Sequence, residues 1–180
     1  MIRLTLTACT ALLTLVLSGC STLGGSGFFS GSGLDEITPE TGEPVLKLSA
    51  EGNQIFRCME DARGPYWHFE QPQANLFNEE GERLVRHSGP MFAFDHVDGS
   101  RIIASRVVKW VKSDNPAKNI PSVLMSAVTE PGEGTLDSVT FVQRIHTEGG
   151  MPQKDCVSEN VGHLLKVPYK SEYIFWKPIP

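Results

Sequence analysis

Three residues in the middle of the chain, His87, Asp98 and Ser100, are the types that make a nucleophilic triad: an imidazole, an orienting carboxylate and an attacking hydroxyl. Their setting argues against that use. Asp98-Gly99-Ser100 is turn chemistry in its own right, Asp bonding its own backbone and Gly taking positive φ. No G-x-S-x-G elbow strains a serine into exposure. Metal binding is the next chemistry, from His87, His96, His146 and His163 with Asp95 or Asp98. None of these shows H-x-H or H-x-x-x-H spacing, so the fold alone would have to gather them, and neither a metal nor a cofactor is predicted. Gln143 and Arg144 are neighbours and so face opposite ways in a strand. Gln143 shares its face with Val139, Phe141 and Ile145, which predicts an inward amide in need of partners. Arg144, with Thr147 and Gly149-Gly150, would then stand at a pocket rim as a fixed positive fork for a carboxylate, phosphate or sulfated group. The competing role for Arg144 is an ion pair with Asp98 that holds loops together. Trp67, His68 and Trp110 offer stacking surface, although core packing is the prevailing expectation for both tryptophans.

The four cysteines divide by position. Arg3 and the apolar residues 4–17 read as a signal peptide, too short for a membrane span. The segment ends in Leu17-Ser18-Gly19-Cys20, which resembles a bacterial lipobox with Cys20 as the lipidated residue. Residues 1–19, with Cys9, would leave on processing, and acyl chains on Cys20 would anchor the remainder to a membrane. Ser21, standing where an inner-membrane lipoprotein usually carries Asp, points by the same resemblance to the outer membrane, facing the periplasm. Cys58 and Cys156 remain, an even pair in an oxidising compartment, and are predicted to form a disulfide.

The elements that must position these residues are short β-type runs. Residues 20–44 include a Gly/Ser-rich stretch and read as a lipidated, flexible tether in which Phe28 and Phe29 are the apolar features. Residues 45–180 read as one domain. A hairpin is predicted from residues 74–77 through the turn 78–81 into 82–87, with Gly81 supplying the positive φ. Asp98-Gly99 separates residues 91–94 from the β-branched run 101–112. Residues 138–146 alternate as a strand, and 169–176 close the domain with four aromatics. No helical periodicity lasts three turns; residues 159–166 are expected to make one short helical turn at most. The fold class is all-β, an antiparallel β-sandwich or small β-barrel with short hairpins.

The order of short motifs from Gly52 to Lys177 resembles the bacterial and fungal domain-of-unknown-function family numbered 3455. The resemblance rests on Gln54-Ile55-Phe56-Arg57-Cys58, Trp67-His68-Phe69, Pro72 to Phe77, His87-Ser88-Gly89-Pro90, Asp98-Gly99-Ser100 and Ile120-Pro121. Its sharpest part is Val139 to Gly150, VTFVQRIHTEGG, followed by Cys156 and Val167-Pro168-Tyr169. The resemblance implies no activity. Some fungal relatives carry a malate dehydrogenase label, which this chain gives no physical basis for, since no strand leads into a G-x-G-x-x-G turn. Ser88 stands where the family usually has Tyr, and Phe92 and Ser122 where it has Trp, so any groove lined by those rings differs here.

With 16 basic and 21 acidic residues, a net charge of −5 argues against a nucleic-acid partner. The reading is a non-enzymatic, lipid-anchored binding or envelope-interaction module whose partner is a small molecule, a glycan or an envelope protein; oligomeric state is left open. The competing reading is a hydrolase or metal-dependent enzyme built on His87, Asp98 and Arg144. The site expected is His87, Asp98, Arg144 and Thr147, with Ser100 beside Asp98, gathered at one end of the domain near the Cys58–Cys156 bridge.

Overall fold

The computed structural model describes residues 34–179. The signal segment, Cys20, Phe28 and Phe29 lie outside those residues. Eight strands follow in order: β1 (Glu43–Asp61), β2 (Gly64–Phe77), β3 (Arg83–Ser88), β4 (Ala93–His96), β5 (Arg101–Val111), β6 (Ser122–Thr129), β7 (Phe141–Gly149) and β8 (Leu164–Lys177). Each pairs antiparallel with the next, and β8 returns to pair with β1, so the sheet closes as an up-and-down barrel rather than a sandwich. Closure leaves no free outer strand, the general hazard of an open sheet.

The predicted turns form. The β2–β3 turn is tied by Asn78 and Glu82, with Gly81 at φ 81°, and Gly99 takes φ 93° between β4 and β5. The strands are less uniform than short hairpins: β1 runs 19 residues, β2 and β8 run 14 each, and β4 only four. A bulge between Ile55 and Phe56 breaks the long β1–β2 ladder, which bends the strand as barrels require. The helical turn expected near 159–166 is a 3-10 turn at Ser158–Asn160, and β8 takes over from Leu164.

Apolar side chains fill the barrel. Leu48, Ala50, Leu76, Val85, Phe94, Ile102, Val142, Tyr173 and Phe175 form one contiguous core. Charged residues of the same strands alternate outward, where Lys47 pairs with Glu172 and Lys170 with Glu51. That is the orientation of a water-facing barrel, opposite to the apolar-out, polar-in pattern of outer-membrane barrels.

Two expectations change here. The domain does not begin at residue 45, because Leu34 and Ile37, around a 3-10 turn at Asp35–Ile37, pack on the outer face of the barrel against Leu124, Ile145 and Phe141. That cover also reverses the reading of β7. Phe141, Gln143 and Ile145 point outward beneath this segment, while Val142 and Arg144 point into the barrel. Gln143 meets Thr38 at 3.4 Å rather than a core partner. The alternation is present, but an apolar outer face covered by another segment looks the same in sequence as an inner one.

Candidate functional site

Strand order places the β1–β2, β3–β4, β5–β6 and β7–β8 connections at one end of the barrel. The Cys58–Cys156 bridge, with a Cα separation of 5.4 Å, joins the end of β1 to the β7–β8 connection there. At this end the short β3–β4 hairpin leaves the wall incomplete. It pairs with β2 from Gln73 to Phe77, and with β5 through Ala93–Ile103, Phe94–Ile102 and Asp95–Arg101, ending at a bond from the Ala104 N–H to the Phe92 carbonyl. Residues 64–72 of β2 and the distal half of β5 therefore continue past it with a slot between them. The hairpin connection turns at Gly89 (φ 83°) and Phe92 (φ 53°), and Phe92 stacks on Phe69 at 5.9 Å across the slot.

Behind the slot lies a cavity of about 310 Å³. Phe69, Phe92, Ala104, Val123 and Met125 supply its apolar walls, while Gln54, His87 and Arg144 supply its polar lining. Arg144 stands between Val123 of β6 and Tyr173 of β8 in the ladder, which fixes it on the inner face. One Nη donates to the Pro121 carbonyl at 3.0 Å, but its buried Nε–H has no acceptor among the described residues. Gln54 is 2% exposed, and its Nε2 also has no acceptor. Gly150 makes room for it: a Cβ there would lie 3.3 Å from Gln54 Cγ and 2.9 Å from Ile120. The two arginines lining the cavity, Arg144 and the more exposed Arg106, face no carboxylate within it.

His87 is a fixed neutral group here. Its ring stacks on Phe94 at 3.8 Å and meets Tyr173 edge-on, and Nδ1 donates to the Ala93 carbonyl at 3.0 Å. Burial, with the Arg144 charge adding to it, lowers its pKa from 6.5 to about 3, against the opposing bond to Ala93. An unfolded chain takes up a proton below pH 6.5 where the native protein does not, so this residue's contribution is complete above pH 6.5 and lost as pH falls towards 3. Between pH 6.5 and 5, above the carboxylate range, stability should drop with a slope that steepens from about 0.7 towards about 1.4 kcal/mol per pH unit from this one proton. His87→Gln should flatten that limb in urea titrations. An unchanged slope would mean that His87 is not held neutral.

Asp98 and Ser100 are elsewhere. They sit in the β4–β5 connection at the opposite end of the barrel, together with the β6–β7 connection. Ser100 donates from both its Oγ (2.6 Å) and its backbone N–H (2.9 Å) to Asp98, and Asp98 also accepts from the Thr135 N–H at 2.7 Å. Ser100 Oγ in turn accepts from the Leu136 N–H at 3.1 Å. The Ser100 hydroxyl leads this set in holding the Asp98 carboxyl far below the usual range. The pair staples two loops and is separated from His87, so the residues of the imagined triad do not assemble. Arg144 has no ion pair with Asp98 or any other carboxylate among the described residues. Thr147 lies at the disulfide end but turns aside, donating to the Ile120 carbonyl and holding the β5–β6 loop. Nor do the histidines gather: His96 lies beside Asp98 at 2.8 Å, and His146 beside Glu172 at 3.3 Å on the outer face.

Of the five residues expected at one site, the structure brings His87 and Arg144 together, sets Thr147 near them, and places Asp98 and Ser100 at the other end. Sequence reasoning missed Gln54 and the walls Phe69, Val123 and Met125. The available signal was Gln54 itself, an uncharged polar residue directly before the apolar pair Ile55-Phe56. Both tryptophans also depart from core packing. Trp67 is partly exposed and donates to the Lys154 carbonyl at 2.6 Å, while Trp110 is 59% exposed on β5.

The sequence model of a family described as "Protein of unknown function (DUF3455)" matches residues 39–177, which span the whole barrel. No curated protein and no solved structure matches the chain.

Proposed function

The chain belongs to the DUF3455 family of proteins of unknown function, and from that premise we propose that it is a binding module of the cell envelope that takes a small molecule into the disulfide end of its barrel. The observation that carries this reading is the pairing of an apolar cavity with two buried N–H donors, on Gln54 and Arg144, that have no acceptor among the described residues. Buried donors are nearly always satisfied, and leaving one unpaired costs about 1–3 kcal/mol. Apolar walls with a few convergent polar groups are the common form of a ligand pocket. A proton-transfer centre needs several titratable groups within reach of one another. Here the imidazole is stacked and neutral, and the carboxylate and hydroxyl of the expected triad, Asp98 and Ser100, serve a loop at the other end.

Screening the full chain for ligand-induced thermal shifts tests the reading, since a ligand that binds only the native state raises its stability in proportion to RT ln(1 + [L]/Kd). Ala104→Trp, which fills the cavity from its β5 wall, should abolish the shift given by any such ligand. Shifts that survive the substitution would place binding elsewhere.

The same proposal puts the module on a lipid anchor at Cys20, in the outer membrane and facing the periplasm. The Leu17-Ser18-Gly19-Cys20 segment and the Cys58–Cys156 bridge support it. Cys20→Ala should block lipid attachment and lipoprotein-type processing; a variant that is still cleaved and still sediments with membranes would refute the anchor.

A further inference from the structure

The cavity's chemistry points beyond binding in general to one class of ligand, an inference that rests on the binding reading above. Both unsatisfied groups at the floor are donors: Gln54 Nε2 and Arg144 Nε. A ligand that completes them must bring acceptors, and two acceptors side by side is the geometry of a carboxylate, which arginine engages through its planar fork. No Asp or Glu lines the cavity to compete for the guanidinium. Neutral His87 adds no second positive charge to the floor and Arg106, the other arginine lining the cavity, is exposed, so the buried charge there is a single one. One buried cation matches a monoanion; a phosphate monoester, with its second charge, would leave part of that charge uncompensated away from water.

The rest of the cavity asks for the opposite character. Phe69, Phe92, Val123 and Met125 make an apolar channel from the floor to the slot, and Phe69 is 37% and Val107 51% exposed at its mouth. A volume of about 310 Å³ corresponds to roughly ten water-sized groups, enough for a head and a short chain or single ring. We propose that the ligand is a small amphiphilic monocarboxylate, its carboxylate held between Gln54 and Arg144 and its apolar part running along Phe69, Phe92 and Met125 towards the slot.

Isothermal titration of the full chain with sodium nonanoate, sodium octanoate, octan-1-ol, octyltrimethylammonium and octyl phosphate tests the class, because nonanoate and the last three share one octyl tail and differ in the head, octanoate being one methylene shorter. Both carboxylates should bind, with the alcohol and the ammonium at least tenfold weaker than nonanoate and the phosphate weaker than nonanoate. Arg144→Gln should weaken octanoate by about 10–100-fold, the scale of a charge-assisted hydrogen bond, while changing octan-1-ol little. Should that variant fail to fold, Gln54→Leu, which leaves the backbone ladder intact, should lower octanoate affinity several-fold and narrow the gap between octanoate and octan-1-ol. Equal binding of nonanoate and the alcohol or ammonium, abolished by Ala104→Trp, would overturn the carboxylate assignment and leave the binding reading standing. Octyl phosphate binding as tightly as nonanoate would overturn it in favour of phosphate monoesters. If none of the five binds, the assignment fails, and the broader thermal-shift screen decides the binding reading separately.

Discussion

Replacing both Cys58 and Cys156 by alanine should cost about 4 kcal/mol of stability and lower the melting temperature by roughly 12 °C. The bridge closes a sequence separation of 98 residues, and for a loop of that length chain entropy alone predicts about 4.7 kcal/mol. Native strain and residual structure in the unfolded chain lower such values in practice. For a chain of this size each kcal/mol is worth about 2–4 °C. The native state itself should change little, because the β7–β8 loop is already tied to the end of β1 by backbone hydrogen bonds between Cys58 and both Gly162 and His163. Urea denaturation of the double variant, alongside the oxidised parent, measures the difference. A cost under about 1 kcal/mol would show that the loop is already constrained in the unfolded ensemble.

Gly52→Ala should be of similar severity, about 3 kcal/mol, the upper part of the overpacking range. Gly52 faces Ala74 across β1–β2 and Tyr169 across β1–β8. A methyl group there would lie 2.2 Å from the Gln73 carbonyl oxygen and 2.5 Å from the Ala74 Cα, and backbone atoms cannot rotate away as a flexible side chain can. Adding Ala74→Gly removes one of the colliding methyls but not the carbonyl, so the double variant should recover less than half of the loss. Full recovery would mean that the Ala74 side chain alone sets the limit. Equilibrium denaturation of the two variants decides between these outcomes.

The parts of the fold that could be read from sequence were those with local causes. The turns at Asn78–Gly81 and Asp98–Gly99 follow from residues that need no distant partner; the Cys58–Cys156 bridge, which spans the domain, was legible only because these are the two cysteines left once Cys9 and Cys20 are set aside. Whether eight strands stack as two layers or close on themselves depends on whether β8 reaches β1, and alternation is the same in both cases. The inward turn of Arg144 was hidden because Phe141 and Ile145 are apolar for an external reason, the cover supplied by Leu34 and Ile37. The site itself depends on what is missing. Its slot exists because β4 has only four residues, and a shortfall of pairing leaves no motif. Asp98 and Ser100 show the converse: residue types suited to catalysis, next to each other in sequence, spent on holding a loop.

Closing the barrel between its first and last strands has a consequence for how the chain reaches this state. Every other pairing joins strands consecutive in sequence, so those hairpins can form as their segments emerge from synthesis. The β1–β8 seam, among the longest ladders in the molecule, joins residues 43–57 to 164–177 and must wait for the end of the chain. Until then the long first strand presents an open hydrogen-bonding edge, the kind of surface on which folding intermediates associate. Contacts of such sequence separation are slow because loop closure precedes any reward. Cys156 sits just ahead of β8, so oxidation to Cys58 brings the final strand beside its partner before the seam has formed. Refolding with the bridge kept intact should therefore run faster than refolding of the reduced chain, because the final strand is already held beside its partner.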